Sequence, residues 1–223
     1  RRGLGASFCQ STNREQRATR KGLLLFLIFP KQNANSAQIK RAYSFRKCER
    51  ACAEMELQKK RTIVVLFTCY LDLFSRFLYH ISRQGYTHAA ISLEENSDYY
   101  YSFNAKGFRR EHPKNYKQRL RHKSAAFHLE ISEESYQRIK EQLMEMESAA
   151  GQYHYTRLGV FCCLLHVAWQ RKNHYFCSQF VSELLRLAED IHLKKQPALY
   201  LPNQLAQELA TLPCVQRIEF QVL

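Results

Sequence analysis

The sequence predicts an α+β domain in which an antiparallel sheet packs against several helices. Short segments rich in β-branched and aromatic residues have the length and composition of strands, and other segments carry apolar stripes at helical spacing. A polar turn joins two of the predicted strands, which favours a hairpin. The chain has 223 residues, enough for one domain and an arm. Apolar residues make up 45% and charged residues 24%, which excludes a disordered or low-complexity chain.

The positive charge is concentrated at the N-terminal end. The net charge is +14, and residues 1–60 hold 14 basic and 4 acidic side chains, against 20 and 16 in residues 61–223. We therefore predict a basic N-terminal extension over 1–60, with a helix near 40–60, followed by one domain over 61–223. Because that domain is only mildly basic, its charge is a poor argument for nucleic-acid binding.

The extension contains one apolar run, residues 23–29 (LLLFLIF), which follows two basic residues. This pattern is typical of a signal-peptide core with a cleavage-like site at 34–36, and the alternative is a strand or an arm. No segment approaches the ~20 apolar residues of a membrane span, so no integral span is expected. The eight cysteines, two of them adjacent at Cys162 and Cys163, have the pattern of reduced core thiols, which predicts a cytoplasmic protein.

The first half of the domain reads as strand, helix and hairpin. Residues 62–70 (TIVVLFTCY) predict a buried strand, and residues 71–81 predict a helix with one apolar stripe. Gly85 breaks the chain, and residues 87–94 and 99–103 predict two strands of a hairpin. Residues 105–123 carry eight Lys or Arg and one acidic residue, and we predict that they form a basic loop.

The second half is mostly helical. Residues 125–131 alternate and predict a strand, after which Ser132 caps a helix with Glu133 and Glu134 in its first turn, running to about Ala150. Two further helices are predicted at about 156–170 and 177–190. Pro202 opens a short helix, and residues 215–222 predict a closing strand.

Cys177 is the first candidate for chemistry. Apolar residues follow it at helical spacing, so Cys177 is predicted at the N-terminal end of a helix, on the inward stripe. A helix N-terminus carries unpaired N–H groups and about half a positive charge, which lowers the pKa of a thiol and stabilises an oxyanion. The alternative is an inert core cysteine, since free cysteine is among the most buried residue types.

His88 is the second candidate. It begins a predicted strand (THAAISL) just after Gly85, beside small residues that leave room for an imidazole. An imidazole at this place would accept a thiol proton and later protonate a leaving amine. The alternative is a strand-end histidine with an ordinary hydrogen bond.

Two other groups of residues, a set of metal-ligand types and a basic loop, do not predict a specific site. A cluster of sulfur and imidazole ligands has spacings that match no zinc template, so no metal site is predicted; its members are Cys162, Cys163, His166, His174 and Cys177. The basic loop at 105–123 is expected to be solvated surface, with an anionic ligand beside the cleft as the alternative. No RNA-binding signature accompanies this loop, so nucleic acid is not an expected partner.

Several segments, in order, resemble the circularly permuted papain-like cysteine hydrolases of the NlpC-type, YiiX-like family. They are TIVVLFTCYLDLFSRFLYHIS, the hairpin YTHAAISLEENSDYYYSF with GFRRE after it, HYFCSQFVSELL, and the tail PALYLPNQL. The resemblance covers residues 61–220. It implies a permuted papain-like fold and a cysteine-nucleophile hydrolase, either an amidase or peptidase or an acyl hydrolase, that needs no cofactor and acts on a small peptide or acyl substrate.

The resemblance also implies roles for single residues. Cys177 is similar to the nucleophile of these enzymes and His88 to their general base, while their third, imidazole-orienting residue falls on Ser102, or on Asn104 of the same strand face. Serine is a weaker orienting group than His, Glu or Asp, which is a departure from the family. The alternative function is a non-catalytic papain-like domain that binds an anionic lipid surface or nucleic acid through its basic extension and loop.

Overall fold

The computed structural model describes residues 59–70, 73–81, 85–112 and 120–223. The described residues belong to a compact unit that spans Glu54–Leu223. The predicted apolar run at 23–29 and all but the last two residues of the predicted extension and its helix near 40–60 lie outside the described residues. The boundary between extension and domain therefore stays a prediction.

Most of the strands form one antiparallel sheet of six, in the order β4-β3-β2-β1-β5-β8, and two short parallel strands, β6 and β7, pair beside it. The strands are β1 (Lys60–Tyr70), β2 (His88–Ser92), β3 (Tyr100–Asn104), β4 (Gly107–Glu111), β5 (Leu120–Ser132), β6 (His154–Tyr155), β7 (His174–Tyr175) and β8 (Val215–Phe220). The helices are α1 (Leu73–Ile81), α2 (Glu133–Ser148), α3 (Arg157–Leu164), α4 (Cys177–Leu185) and α5 (Pro202–Leu209), with 3-10 turns at Ala150–Gln152 and Pro197–Leu199. The predicted α+β class, an antiparallel sheet with several helices, is confirmed.

The central strand β1 divides the core into two layers. Its odd-numbered residues, such as Val65 and Phe67, pack with residues of α2, α4 and α5 in the main core, whereas Val64 and Leu66 belong to a smaller cluster on the opposite face. This alternation follows from the period of two in a strand. Because both faces are covered, β1 reads in the sequence as a continuous apolar run.

The predicted basic loop at 105–123 is wrong at both ends, because residues 107–111 form β4 and β5 already begins at Leu120. The turn before β4 ends at Gly107, whose φ of +88° is a conformation that other residues rarely adopt. A side chain at Gly107 would also meet the backbone carbonyl of Tyr153. A glycine at this position therefore permits a second hairpin that the charge pattern concealed.

Two helices are shorter than predicted. Helix α3 ends at Leu164 because His166 takes a left-handed φ of 59°, and the N–H of Val167 then turns back to the carbonyl of Cys162 at 2.8 Å. Helix α4 ends at Leu185, before turns that continue to Ile191. Beyond α4, Ala188 and Ile191 are buried without being helical, which is why the apolar pattern continues past the end of that helix. Beyond α3, the apolar residues Leu165 and Val167 are exposed instead.

Within the described residues, no helix has the length and apolar character needed to cross a bilayer. The same residues contain no group of three or more His, Cys, Asp or Glu side chains placed to hold a metal ion.

Candidate active site

Helix α4 places Cys177 at its first position, under the sheet. The chain arrives in extended form through β7, and Phe176, also extended, is the N-cap residue and supplies no side-chain hydrogen bond. From this start, Phe180, Val181 and Leu184 lie along the buried stripe of α4 and pack in the main core. Packing along this stripe therefore holds the first turn of α4 against the sheet.

The sulfur of Cys177 lies between the two peptide groups that flank His88. The thiol donates a hydrogen bond to the carbonyl oxygen of Thr87, with 4.0 Å between sulfur and oxygen. The backbone N–H of Ala89 donates to the same sulfur, as does the N–H of Ser178. The Cys177 sulfur therefore lies against the backbone of residues 87–89.

Burial raises the pKa of the Cys177 thiol from its ordinary value of 9.0 to about 11. The backbone N–H groups of Ala89, Ser178 and Cys177 lower the pKa, but the loss of solvent outweighs them. The residue is only 4% exposed. The sequence prediction of a lowered pKa is therefore wrong for this state of the protein: desolvation disfavours the thiolate more strongly than the helix start favours it.

His88 begins β2 and is also buried, with 4% of its surface exposed. Strand alternation places it on the face that carries Ala90, opposite to the face on which Ala89 packs against the main core. Its ring meets the ring of Tyr70 edge to face, with 4.6 Å between centroids. The imidazole and the sulfur thus approach the same stretch of β2 from its two sides.

Ser102 and Asn104 lie on the strand next to His88. Ser102 pairs with Ala90, so it shares the face of His88, and continuing that register places Asn104 opposite His88. The Ser102 hydroxyl is fully buried and has no hydrogen-bond partner among the residues that the structure describes. The structure therefore does not bring the Ser102 hydroxyl into a hydrogen bond with the imidazole.

Tyr70 and Glu111 complete this side of the site, and the sequence reasoning did not select either. The hydroxyl of Tyr70 donates to Glu111 at 3.5 Å, and the side-chain amide of Asn104 donates to the same carboxylate. The backbone N–H of Tyr70 donates to the hydroxyl of Thr87 at 2.8 Å. Glu111 ends the GFRRE segment, and this segment was the available signal, although its role required the unpredicted strand β4.

No family model, curated protein or solved structure matches the chain. The relationship to permuted papain-like hydrolases therefore stays a prediction from the sequence. The geometry around Cys177 and His88 is an independent observation, on which a functional proposal can rest.

Proposed function

We propose that this protein is a cysteine hydrolase with a permuted papain-like fold, and that it cleaves an amide or ester bond with Cys177 as nucleophile and His88 as general base. One observation carries the proposal: residues 90 positions apart meet at one point, where the Cys177 sulfur is hydrogen-bonded to the peptide groups on both sides of His88. This contact supports the proposal because it joins the Cys177 sulfur to the backbone on both sides of His88.

The raised pKa of Cys177 determines how the reaction begins. The resting thiol is neutral, so no thiolate accumulates beforehand. In the proposed reaction the His88 imidazole turns from the face of β2 that carries Ala90 toward the sulfur, and it takes the thiol proton as the sulfur attacks. The sulfur forms a bond to the substrate carbonyl carbon, and the carbonyl electron pair moves onto its oxygen. Backbone N–H groups at the start of α4 are the donors for that oxyanion.

Collapse of this intermediate expels the amine or alcohol, which leaves with the proton that His88 carries. Water then attacks the thioester, gives a proton to His88, and releases the acid while the thiol is restored. Tyr70 packs on the imidazole and is itself bonded to Glu111, so Tyr70 and Glu111 are positioning residues in this scheme.

The substrate carries a carbonyl that can enter a buried site, either a peptide amide or an acyl ester. The sulfur is nearly covered, so the side chains above it must move before a substrate reaches it. Both substrate classes leave an acyl group on the Cys177 sulfur as a thioester. They differ in the leaving group, which is an amine for a peptide amide and an alcohol for an acyl ester.

Hydrolysis of chromogenic acyl esters and of peptide anilides tests the proposal. We expect Cys177→Ala to abolish turnover and His88→Ala to lower kcat/KM by ~100-fold or more, because general-base catalysis contributes that much. Cys163→Ala is the matched control, since Cys163 is also a buried thiol with a pKa raised by burial, to about 12. Equal loss in all three variants, or none in Cys177→Ala, would refute the assignment.

The neutral, buried Cys177 thiol favours a second candidate, a non-catalytic domain that binds an anionic partner. The Cys177 thiol donates to a backbone carbonyl, and an inert core cysteine makes the same kind of hydrogen bond. Such a domain would show no turnover with either substrate class, and its affinity for a polyanion would fall steeply with salt.

A further inference from the structure

Two histidines lie side by side on the short parallel strands β6 and β7. His154 on β6 pairs directly with His174 on β7, and the centroids of their rings are 5.3 Å apart. The N–H of His154 donates to the carbonyl of Asn173 at 2.8 Å, and the N–H of Thr156 donates to the carbonyl of Tyr175 at 3.0 Å. This backbone ladder holds the two histidines in register, so their proximity is a property of the paired strands.

The histidine pair lies on the outer side of these strands. Tyr155 and Tyr175, the next residue along each strand, are partly buried and pack against the main core. Because successive side chains of a strand point to opposite faces, the two imidazoles face away from that core. His154 is exposed and His174 is partly exposed, so both rings are accessible to a dissolved ion.

The backbone fixes the form of the His174 ring. Its Nδ1 atom lies 2.8 Å from the carbonyl oxygen of Lys172. A carbonyl only accepts hydrogen bonds, so Nδ1 carries the hydrogen and the neutral ring has its free electron pair on Nε2. Histidines that bind metals generally have this arrangement, in which one ring nitrogen donates to a carbonyl or carboxylate while the other binds the ion.

The distance between the two rings fits a shared tetrahedral metal ion. A zinc–nitrogen distance of about 2.0–2.1 Å puts the centre of an imidazole about 3.2 Å from the metal, and two such rings at the tetrahedral angle have centres about 5.3 Å apart. The observed separation of the centroids has this value. Water completes such a site, because the described residues hold no group of three or more His, Cys, Asp or Glu placed around a metal.

We propose that His154 and His174 together form a binding site for a divalent transition-metal ion of the kind that prefers imidazole, with Zn²⁺ the best match to the geometry. Each histidine replaces one water molecule of the hydrated ion with a ring nitrogen. The ion joins β6, which leads into α3, to β7, which leads into α4. The site does not include Cys177 or His88, so it does not depend on the hydrolase function.

The sequence spacing places His174 near cysteines and His166 only. Its neighbour His154 lies 20 positions earlier, and only the pairing of the two strands brings the rings together. Arg171 and Lys172 lie on the turn before β7 and oppose a cation, but both are exposed, and water and salt screen their charge.

Calorimetric titration of the full chain with Zn²⁺ tests the site, and the visible spectrum of added Co²⁺ identifies the ligands. We expect one ion per chain and a tetrahedral Co²⁺ spectrum without a thiolate charge-transfer band. His154→Gln and His174→Gln should each weaken binding by about 100-fold, because a single imidazole lacks the advantage of chelation. The double variant should be little weaker than either single one. His192→Gln is the matched control, since His192 is an exposed histidine outside the pair.

Thermal unfolding and the neighbouring cations provide further measurements. Zn²⁺ at a hundredfold excess over its dissociation constant should raise the melting temperature of the wild type by about 5 to 10 °C and leave both histidine variants unchanged. Without metal, all of these proteins should melt at the same temperature, which separates lost binding from misfolding. Arg171→Gln and Lys172→Gln should bind Zn²⁺ at least as tightly as the wild type, because each removes a nearby positive charge.

Four outcomes would overturn the site. Unchanged affinity in both histidine variants would remove the pair as ligands, and equal weakening by His192→Gln would show unspecific binding to surface histidines. A thiolate band that Cys162→Ser abolishes would assign the ion to cysteines. One ion per two chains, with a dimer that forms only in the presence of metal, would assign it to a contact between copies.

Discussion

Helices α2 and α4 begin in opposite ways. At the start of α2, Ser132 caps the helix, Glu133 and Glu134 occupy the first turn, and Asp190 accepts hydrogen bonds from the N–H and hydroxyl of Ser132, both at 3.0 Å. At the start of α4, Phe176 provides no side-chain cap, and a buried cysteine stands at the first position.

The difference shows what each helix start contributes. The N–H groups and positive end of α2 are satisfied by oxygen acceptors and carboxylates, which stabilise the helix. At α4 the backbone N–H groups of Cys177 and Ser178 are directed to the sulfur instead. Because stability there comes from the packing of the buried stripe, the first turn of α4 is available for chemistry.

The largest expected effect on stability concerns Cys177 at high pH. Its pKa is about 11 in the folded protein against an ordinary 9.0, so the unfolded chain loses the thiol proton first. The stabilising contribution of the neutral thiol is therefore full below pH 9 and is lost as the pH rises through about 11. Between these values, the free energy of unfolding should fall by about 2 to 3 kcal/mol on account of this group.

Urea denaturation of the wild type and of Cys177→Ala across this pH range measures the effect. Cys163, Tyr175 and Tyr200 also have pKa values raised by burial, and they affect both proteins alike. The free energy of unfolding should therefore fall more steeply with pH in the wild type than in Cys177→Ala, and the difference between the two slopes is the contribution of Cys177. Parallel slopes would mean that the Cys177 thiol is not desolvated, and that the two helix starts differ less than described.

The next effect concerns Asp190 at the start of α2. Partial burial opposes the carboxylate, but hydrogen bonds from Ser132 and Ser135 outweigh it and hold the pKa of Asp190 below its ordinary 3.8. The contribution of Asp190 is thus present above pH 3.8 and is lost as the pH falls below it. We expect Asp190→Ala to lower the free energy of unfolding at neutral pH by about 1 to 2 kcal/mol, because the hydrogen bonds are charge-assisted.

Thermal unfolding of Asp190→Ala beside Glu189→Ala provides the check. Glu189 is an adjacent, exposed carboxylate that pairs with Arg138 at 2.7 Å, and an exposed pair of this kind contributes little. A smaller loss in Asp190→Ala than in Glu189→Ala would show that the hydrogen bonds to Asp190 do not stabilise the start of α2.

The smallest effect is expected for Ser132→Ala, about 1 kcal/mol from the lost N-cap. Denaturation gives this loss of stability, and ester hydrolysis by the same variant should proceed at the wild-type rate. A large fall in turnover with little loss of stability would show that the start of α2 contributes to catalysis. It would contradict the distinction between a stabilising start of α2 and a reactive start of α4.

The sequence predicted the elements whose signals are local. The cap at Ser132 and the apolar run of β1 were read correctly, because each depends on neighbouring residues. Strand β4 was missed because its exposed arginines resemble a solvated loop, and only the conformation of Gly107 makes the hairpin possible. The end of α3 was missed because the left-handed turn at His166 has no sequence signature of its own.

The places of the two candidate residues in the fold, Cys177 at a helix start and His88 at a strand start, were predictable from the sequence, but the electrostatics around Cys177 were not. Cys177 and His88 could be selected from local pattern and resemblance, and the fold brings the Cys177 sulfur to the backbone on both sides of His88. The raised pKa of Cys177 could not be foreseen, since it depends on how fully the sheet covers the helix start. Glu111 was missed because its approach to Tyr70 requires the pairing of β3 with β4.

The most direct test of Cys177 as nucleophile is capture of the acyl-enzyme. The protein is mixed with an acyl ester, quenched in acid, digested and mapped by mass spectrometry. We expect one acyl group on the peptide that contains Cys177, formed at least ~100-fold more slowly in His88→Ala. Turnover that leaves Cys177 unmodified, with the acyl group on Cys162 or Cys214 or on no cysteine, would contradict the account.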